Sequence, residues 1–418
     1  MGSIAQRGIA YNIFMTLLMF LYIYEFNFSV FSLPTLLTSR RIAVVILVFY
    51  TFFIKRGESR INLLSSVKLI NKYIFFLTGL LIFGCFLIVF IGRGTGTHIT
   101  DCLIRLLLFG IVPIYCFSRV FSNVDEFMRV ILYATLIQAI IIVICLINPV
   151  WSLALDNVFV VEDQAVRVER YRLGYAGGLA CITAPGCLRF SMGLIACLYF
   201  CLKKKTLIYM VLFFFLGFVA TMIARTGLFL SSVGLLILIW QSMRFDHVSS
   251  LKMILIILVT SFLLIFFMKY IDITEYFGFD RLLDLFYGTG GKDFKEGYFN
   301  GNDTSYPSLS DNLFVGNGII SGIGDDGVRV NVDGGYIRVF SALGFSCCLI
   351  FYLVTFGFLI KLMHCCQNKT LQNTLLYFIL IILLGEFKEF TLFEQYMLCL
   401  FGSMAVICQE SQKSAYHV

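Results

Sequence analysis

The chain has 418 residues, 59% of them hydrophobic and 14% charged, with a net charge of +7 and a mean hydropathy of +0.90. That balance lies outside the range of soluble globular domains and leaves no place for a nucleic-acid-binding module. The apolar residues form long unbroken runs rather than short alternating strands, so a β-barrel is excluded and an all-α polytopic membrane protein follows.

Taken in order, the first run, Ile9 to Phe31, follows Arg7 and has no small-residue cleavage site after it, so it reads as a retained helix. Arg40 and Arg41 separate it from Ile42 to Ile54, which is short for a span of ~20 residues. Tyr73 to Ile91 spans next, and Gly92 to Asp101 reads as a short polar turn. Further spans are predicted over Leu103 to Phe117, Phe127 to Ile147, Leu188 to Leu202, Leu207 to Ile223, Leu228 to Trp240 and Met253 to Tyr270. Gly335 to Ile360, Leu371 to Gly385 and Tyr396 to Cys408 complete a set of about 12 transmembrane helices in a single integral membrane domain, 1–418.

With the N-terminus inside, the inner loops hold Lys55, Arg56, Arg60, Lys68 and Lys72, then Arg119 and Arg129, and then the Lys203-Lys204-Lys205 triple. Arg244, Lys252, Lys361 and Lys369 also fall inside, as the positive-inside rule requires. Both termini then lie inside, and two large segments, 148–187 and 271–334, lie outside. The inner set, with Arg7 and Lys413, holds 6 Arg and 10 Lys, whereas the remainder holds 12 Arg and 4 Lys. Topology demands positive charge inside but gives no reason for Arg over Lys outside. A guanidinium grips phosphate as a fork where an ammonium cannot, so an Arg-rich outer face suits a diphosphate ligand. Pairing with outer-loop carboxylates is the competing reading.

The second outer segment, Ile271 to Gly334, is the least membrane-like part of the chain. Its 64 residues hold nine Asp and two Glu against Arg281, Lys292, Lys295 and Arg329, a charge of −7, leaving +14 for the remainder. A polar stretch of this length is more than a connector. Its Asp residues and aromatics, among them Tyr276, Tyr287 and Tyr298, suit sugar binding by hydrogen bonds and stacking, and equally suit simple solvation.

Three groups can carry chemistry on the outer side. Arg167, Arg170 and Arg172 make a basic edge, followed by glycines at 174, 177 and 178 that permit close backbone approach. Arg225, in Ala224-Arg225-Thr226-Gly227, falls between two spans, where an Arg is either snorkelling, paired or functional. Asp333-Gly334-Gly335-Tyr336-Ile337-Arg338 leads into a span, so that Asp333, Tyr336 and Arg338 stand at a helix entrance that favours an anion. Asp333 as a plain N-cap is the alternative there. The Cys doublets 347–348 and 365–366 lack a second ligand pair, and the other cysteines sit in apolar runs as packing residues, so neither a metal site nor a disulfide framework is expected.

The Arg225-Thr226-Gly227 turn, the stretch Leu313-Phe314-Val315-Gly316-Asn317-Gly318, and Asp333 to Arg338 followed by Gly344 resemble the bacterial surface polysaccharide polymerase and ligase superfamily, specifically Wzy-type O-antigen polymerases. The resemblance covers the whole chain as a topology of about twelve spans with two large periplasmic loops. It implies a multi-pass inner-membrane glycosyltransferase of lipopolysaccharide biosynthesis. Such an enzyme moves a growing glycan from undecaprenyl diphosphate onto the next lipid-linked oligosaccharide repeat unit, with no nucleotide sugar, metal or other cofactor. The implied partners are that lipid-linked oligosaccharide, membrane lipid and a polysaccharide chain-length regulator.

In this reading Arg225 and Arg338, with the Arg167, Arg170 and Arg172 set, stabilise the leaving diphosphate, and Asp333 is the first choice of base. Asp311 stands second, ahead of Glu162 and Asp163, and Tyr336 joins the substrate contacts. The related ligases are expected to use a His in the second large loop. Here that loop has none, the four His being His98, His247, His364 and His417, which favours polymerase over ligase and leaves the base open. A flippase or transporter of the same repeat unit is the rival from another class. It would carry charges at mid-membrane and two similar halves, and neither is visible in the sequence.

Overall fold

The computed structural model describes residues 8–26, 38–54, 65–147, 151, 183–204, 206–223, 225–245, 314–319, 322–323, 329–330, 334–387, 391–392 and 394–416. In chain order these form α1 (Ile9–Ile23), α2 (Ser39–Phe49) with a π-helical continuation over Tyr50–Ile54, and α3 (Ser65–Ile91). α4 (Thr97–Arg105) runs through a π-helical stretch, Leu106–Ile111, into α5 (Val112–Val120). Then come α6 (Val124–Ile147), α7 (Thr183–Lys204), α8 (Leu207–Ile223) and α9 (Arg225–Phe245). The last group is α10 (Gly335–Leu343), α11 (Phe345–His364), α12 (Lys369–Glu386) and α13 (Gln395–Tyr416). Two-residue strands, β1 (Gly322–Ile323) and β2 (Arg329–Val330), pair antiparallel within the long polar segment, Gly322 opposite Val330.

Among the described residues six helices are long and apolar enough to cross a membrane: Ser65–Ile91, Thr97–Val120, Val124–Cys145, Pro185–Lys204, Phe345–His364 and Lys369–Glu386. α3, with 27 residues, is about 40 Å long, more than the ~30 Å of a hydrocarbon core. It leaves Phe75, Phe83, Phe86 and Phe90 exposed on its outer surface. Leaving four such side chains in water forfeits about 2 kcal/mol each, so lipid is the solvent that suits this face. The chain is a multi-pass membrane protein.

The chain divides into two compact units, Met1–Phe49 with Asp125–Leu283, and Tyr50–Val124 with Asp284–Val418. In the first unit α7 is the core helix, with Leu188, Phe190, Leu194, Cys197 and Phe200 fully buried. α8 and α9 pack on it as a hairpin. Gly227 lies so close to the Ala220 carbonyl that any side chain at 227 would collide with backbone. At the other end of α7, Tyr199 and Lys203 both donate to the Asp125 carboxylate, each at 2.6 Å, and tie α7 to the start of α6.

α1 ends sooner than its hydropathy predicts. The sequence reads one span from Ile9 to Phe31 with Arg40 and Arg41 as separators, but the helix stops at Ile23 and both arginines lie in the first turn of α2. The open carbonyls at the end of α1 are satisfied from α2 rather than by further helix. Ser39 Oγ donates to Leu21 O at 3.0 Å and Tyr24 O at 3.3 Å, and Arg40 Nε donates to Tyr22 O at 3.0 Å. Arg40 is almost wholly buried and its guanidinium meets the Glu25 carboxylate at 2.8 Å, so it is a tertiary tie, not a loop charge.

In the second unit α3 packs on α11, where the Tyr73 and Phe358 rings stack at 4.0 Å and the Tyr73 and Thr355 hydroxyls bond at 3.0 Å. α13 meets α3 through Gln409, whose Oε1 accepts from the Ser66 amide at 3.0 Å and hydroxyl at 2.9 Å. Several boundaries differ from the sequence reading: α3 starts at Ser65, so that Lys68 and Lys72 lie in the helix and not in a loop, and α13 runs on to Tyr416. The turn expected over Gly92 to Asp101 closes at Gly96, and helix resumes at Thr97. Gly335 to Ile360 is not one span: it breaks at Gly344, which adopts φ +81° between α10 and α11.

Candidate functional site

Two of the motifs singled out in the sequence meet at one end of the second unit. The Phe314–Ile319 strip lies along the last turn of α10. The Asn317 amide donates to Ser341 O at 2.8 Å and the Gly318 amide to Ala342 O at 3.1 Å, capping carbonyls that the helix end leaves open. Asn317 Oδ1 accepts from the Ile319 amide at 3.0 Å and the Ser341 hydroxyl at 3.3 Å, which holds the strip in a tight turn.

The contact is backbone on backbone. A Cβ on Gly316 would collide with the Ser341 and Ala342 carbonyls, and one on Gly344 would lie 2.8 Å from the Val315 amide nitrogen. Gly344 also has a positive φ with extended ψ, a conformation that other residues adopt only with strain. The spacing of glycines at 316 and 344 is therefore a packing requirement. Arg93, at the end of α3, donates to Val315 O at 2.9 Å and fastens the strip from its other side.

The opposite end of α10 is its entrance, reached from the strip by Ile319, which packs against Ile337. The N-cap of α10 is Gly334, with φ +114° and no side-chain cap bond, so the capping position belongs to Gly334 rather than Asp333. Tyr336 and Arg338 lie in the first turn, both half-buried, and the Arg338 amide donates to Gly334 O at 3.2 Å. The free amides and positive dipole end of this turn, with one guanidinium on it, favour an anion.

Tyr336 rests on the end of α12. Its hydroxyl donates to Leu383 O at 3.2 Å, and its ring lies 5.0 Å from Phe387, edge to face, and 4.8 Å from Tyr352. Beneath it is a carboxylate that sequence reasoning missed. Glu386 is fully buried. Its Oε1 accepts from the Tyr352 hydroxyl at 2.7 Å, and its Oε2 from the Thr391 and Leu392 amides at 2.8 and 3.0 Å. The available signal was a Glu closing the apolar run Leu371 to Gly385, the same edge-of-hydrocarbon argument that selected Arg225, though Lys388 and Glu389 just after it let it pass as part of a polar loop.

Arg225 occupies the first position of α9, in the other unit. Arg167, Arg170, Arg172, Asp311 and Asp333 lie outside the described residues, as do Glu162 and Asp163. Of the candidate residues, the structure thus brings together Tyr336 and Arg338, on one helical turn. No protein-family model, curated protein or solved structure matches the chain.

Proposed function

We propose that the chain is an O-antigen polymerase of the bacterial inner membrane, with about twelve spans, both termini cytoplasmic and its two large loops periplasmic. The observation that supports this reading is the interlock of Gly316-Asn317-Gly318 with α10 and Gly344. The strip locks onto the last turn of α10, and its Ile319 packs against Ile337, which lies between Tyr336 and Arg338 in the first turn.

In this reading the donor is the growing glycan on undecaprenyl diphosphate and the acceptor is the next lipid-linked repeat unit. A hydroxyl of the acceptor sugar attacks the anomeric carbon of the donor. The new glycosidic bond forms as the bond from that carbon to the diphosphate oxygen breaks. The electron pair leaves on the diphosphate, and the hydroxyl proton passes to a carboxylate base, for which Asp333 is the first choice and Asp311 the second. The candidates for stabilising the charge that develops on the diphosphate are Arg338 with the α10 amides, and Arg225. Arg167, Arg170 and Arg172 hold the lipid-linked substrate at the membrane surface, with Tyr336 as a further contact.

Deleting the gene in its own host and resolving the lipopolysaccharide on a gel tests the class. Loss of the ladder with a single repeat retained is the expected result. Complete loss of O-antigen with the core retained would instead identify a ligase or a flippase of the repeat unit.

A further inference from the structure

Glu386 is costly where it stands. It is a fully buried carboxylate at the last position of α12, where both desolvation and the negative end of the helix dipole oppose it. A neutral side chain there would be cheaper for folding alone. What the carboxylate adds is a joint: its two oxygens take donors from two places, the Tyr352 hydroxyl on α11 and, beyond α12, the amides of Thr391 and Leu392 with the Thr391 side chain.

Everything fixed by that joint bears on the start of α10. Tyr352, oriented by Glu386, presents its ring to Tyr336 at 4.8 Å. Phe387, the next residue after Glu386, supports the other side of Tyr336 at 5.0 Å. The Phe387 carbonyl lies 2.9 Å from where a Cβ on Gly334 would be, so the N-cap of α10 is seated directly on it. The Tyr336 hydroxyl bonds Leu383 O, one turn back along α12. Arg338 is two residues beyond Tyr336, and any tilt of this turn moves it.

We propose that Glu386 is a positioning residue, which through Tyr352 and the Phe387 backbone sets the orientation of the first α10 turn and hence of Tyr336 and Arg338. The proposal rests on the polymerase reading for the reaction that these two residues serve. Glu386→Gln keeps the shape, but its one acceptor oxygen cannot serve all of these donors, and its NH2 group must face either the Tyr352 hydroxyl or two amide N–H groups. Tyr352→Phe removes one bond and leaves the carboxylate in place.

The test uses full-length protein in liposomes with purified lipid-linked repeat unit, comparing wild type, Glu386→Gln and Tyr352→Phe. Asn368→Ala serves as a control, because Asn368 caps the opposite end of α12 through the Thr370 and Leu371 amides and has no part in the site. Hydrogen exchange over Gly335–Leu343 is followed on the same proteins. A small misplacement of reacting groups typically costs 10- to 100-fold. Both site variants are therefore expected to lose about 10-fold or more in kcat at unchanged KM and to exchange faster over α10, while the control keeps wild-type kcat and α10 exchange. Wild-type kcat in Glu386→Gln, or a loss matched by the fraction unfolded, would overturn the proposal. Wild type that fails to elongate would sink the polymerase reading. In that case exchange decides the positioning role: faster exchange over α10 in Glu386→Gln supports it, and unchanged exchange overturns it.

Discussion

At Arg225 charge and geometry are separable by a single substitution. If this residue, at the head of α9, holds a diphosphate through a bidentate contact, Lys keeps the charge and loses the fork. Arg225→Lys should then be nearly as impaired as Arg225→Ala. Losing one charge-assisted contact to a developing anion costs about 10²-fold in rate, which reads out as short or absent ladders at normal protein level in the membrane. Near wild-type ladders from Arg225→Lys would return the residue to an interfacial role and leave Arg338 as the main cation. Glu386 carries a lesson at the same scale. Its charge was legible as the first carboxylate after an apolar run, but its meaning was not, since its donors come from residues 34 positions before and 5 and 6 after it.

The element most exposed to a local change is the α10–α11 break. Gly344→Ala adds a Cβ at φ +81°, 2.8 Å from the Val315 amide nitrogen. This positive-φ, extended-ψ conformation, essentially reserved to glycine, costs about 1–3 kcal/mol for another residue, and the clash adds to it. A thermal shift in detergent should show a clear drop, several degrees or more, with loss of ladder formation. An unchanged midpoint would mean that the strip yields easily and does not brace α10. Helices such as α3, α6, α7, α11 and α12 were readable because long apolar runs leave few alternatives in lipid. The break at Gly344 was not, because Leu343 and Phe345 on either side keep the hydropathy high and only the approach of Val315 and Gly316 reveals it. The early stop of α1 escaped for a similar reason: Ser39 and Arg40 take its last carbonyls through contacts that no window of sequence contains. Gly316 and Gly344 were noticed only within the motifs of the resemblance; the fold gives the two a packing reason.

For the whole molecule, the orientation argued from loop charges has a direct check. Reporter fusions after Asp163 and after Asp303 should be active only as periplasmic reporters. A cytoplasmic signal at Asp303 would overturn the threading and move the α10 entrance to the other face of the membrane. The central claim is glycan elongation by this chain, and the measurement closest to it is made with purified protein in liposomes supplied with lipid-linked repeat unit. The expected result is a ladder of lipid-linked multimers with one undecaprenyl diphosphate released per bond formed, unchanged by EDTA. Repeat units that stay single while being moved across the bilayer or transferred to lipid A core would contradict it.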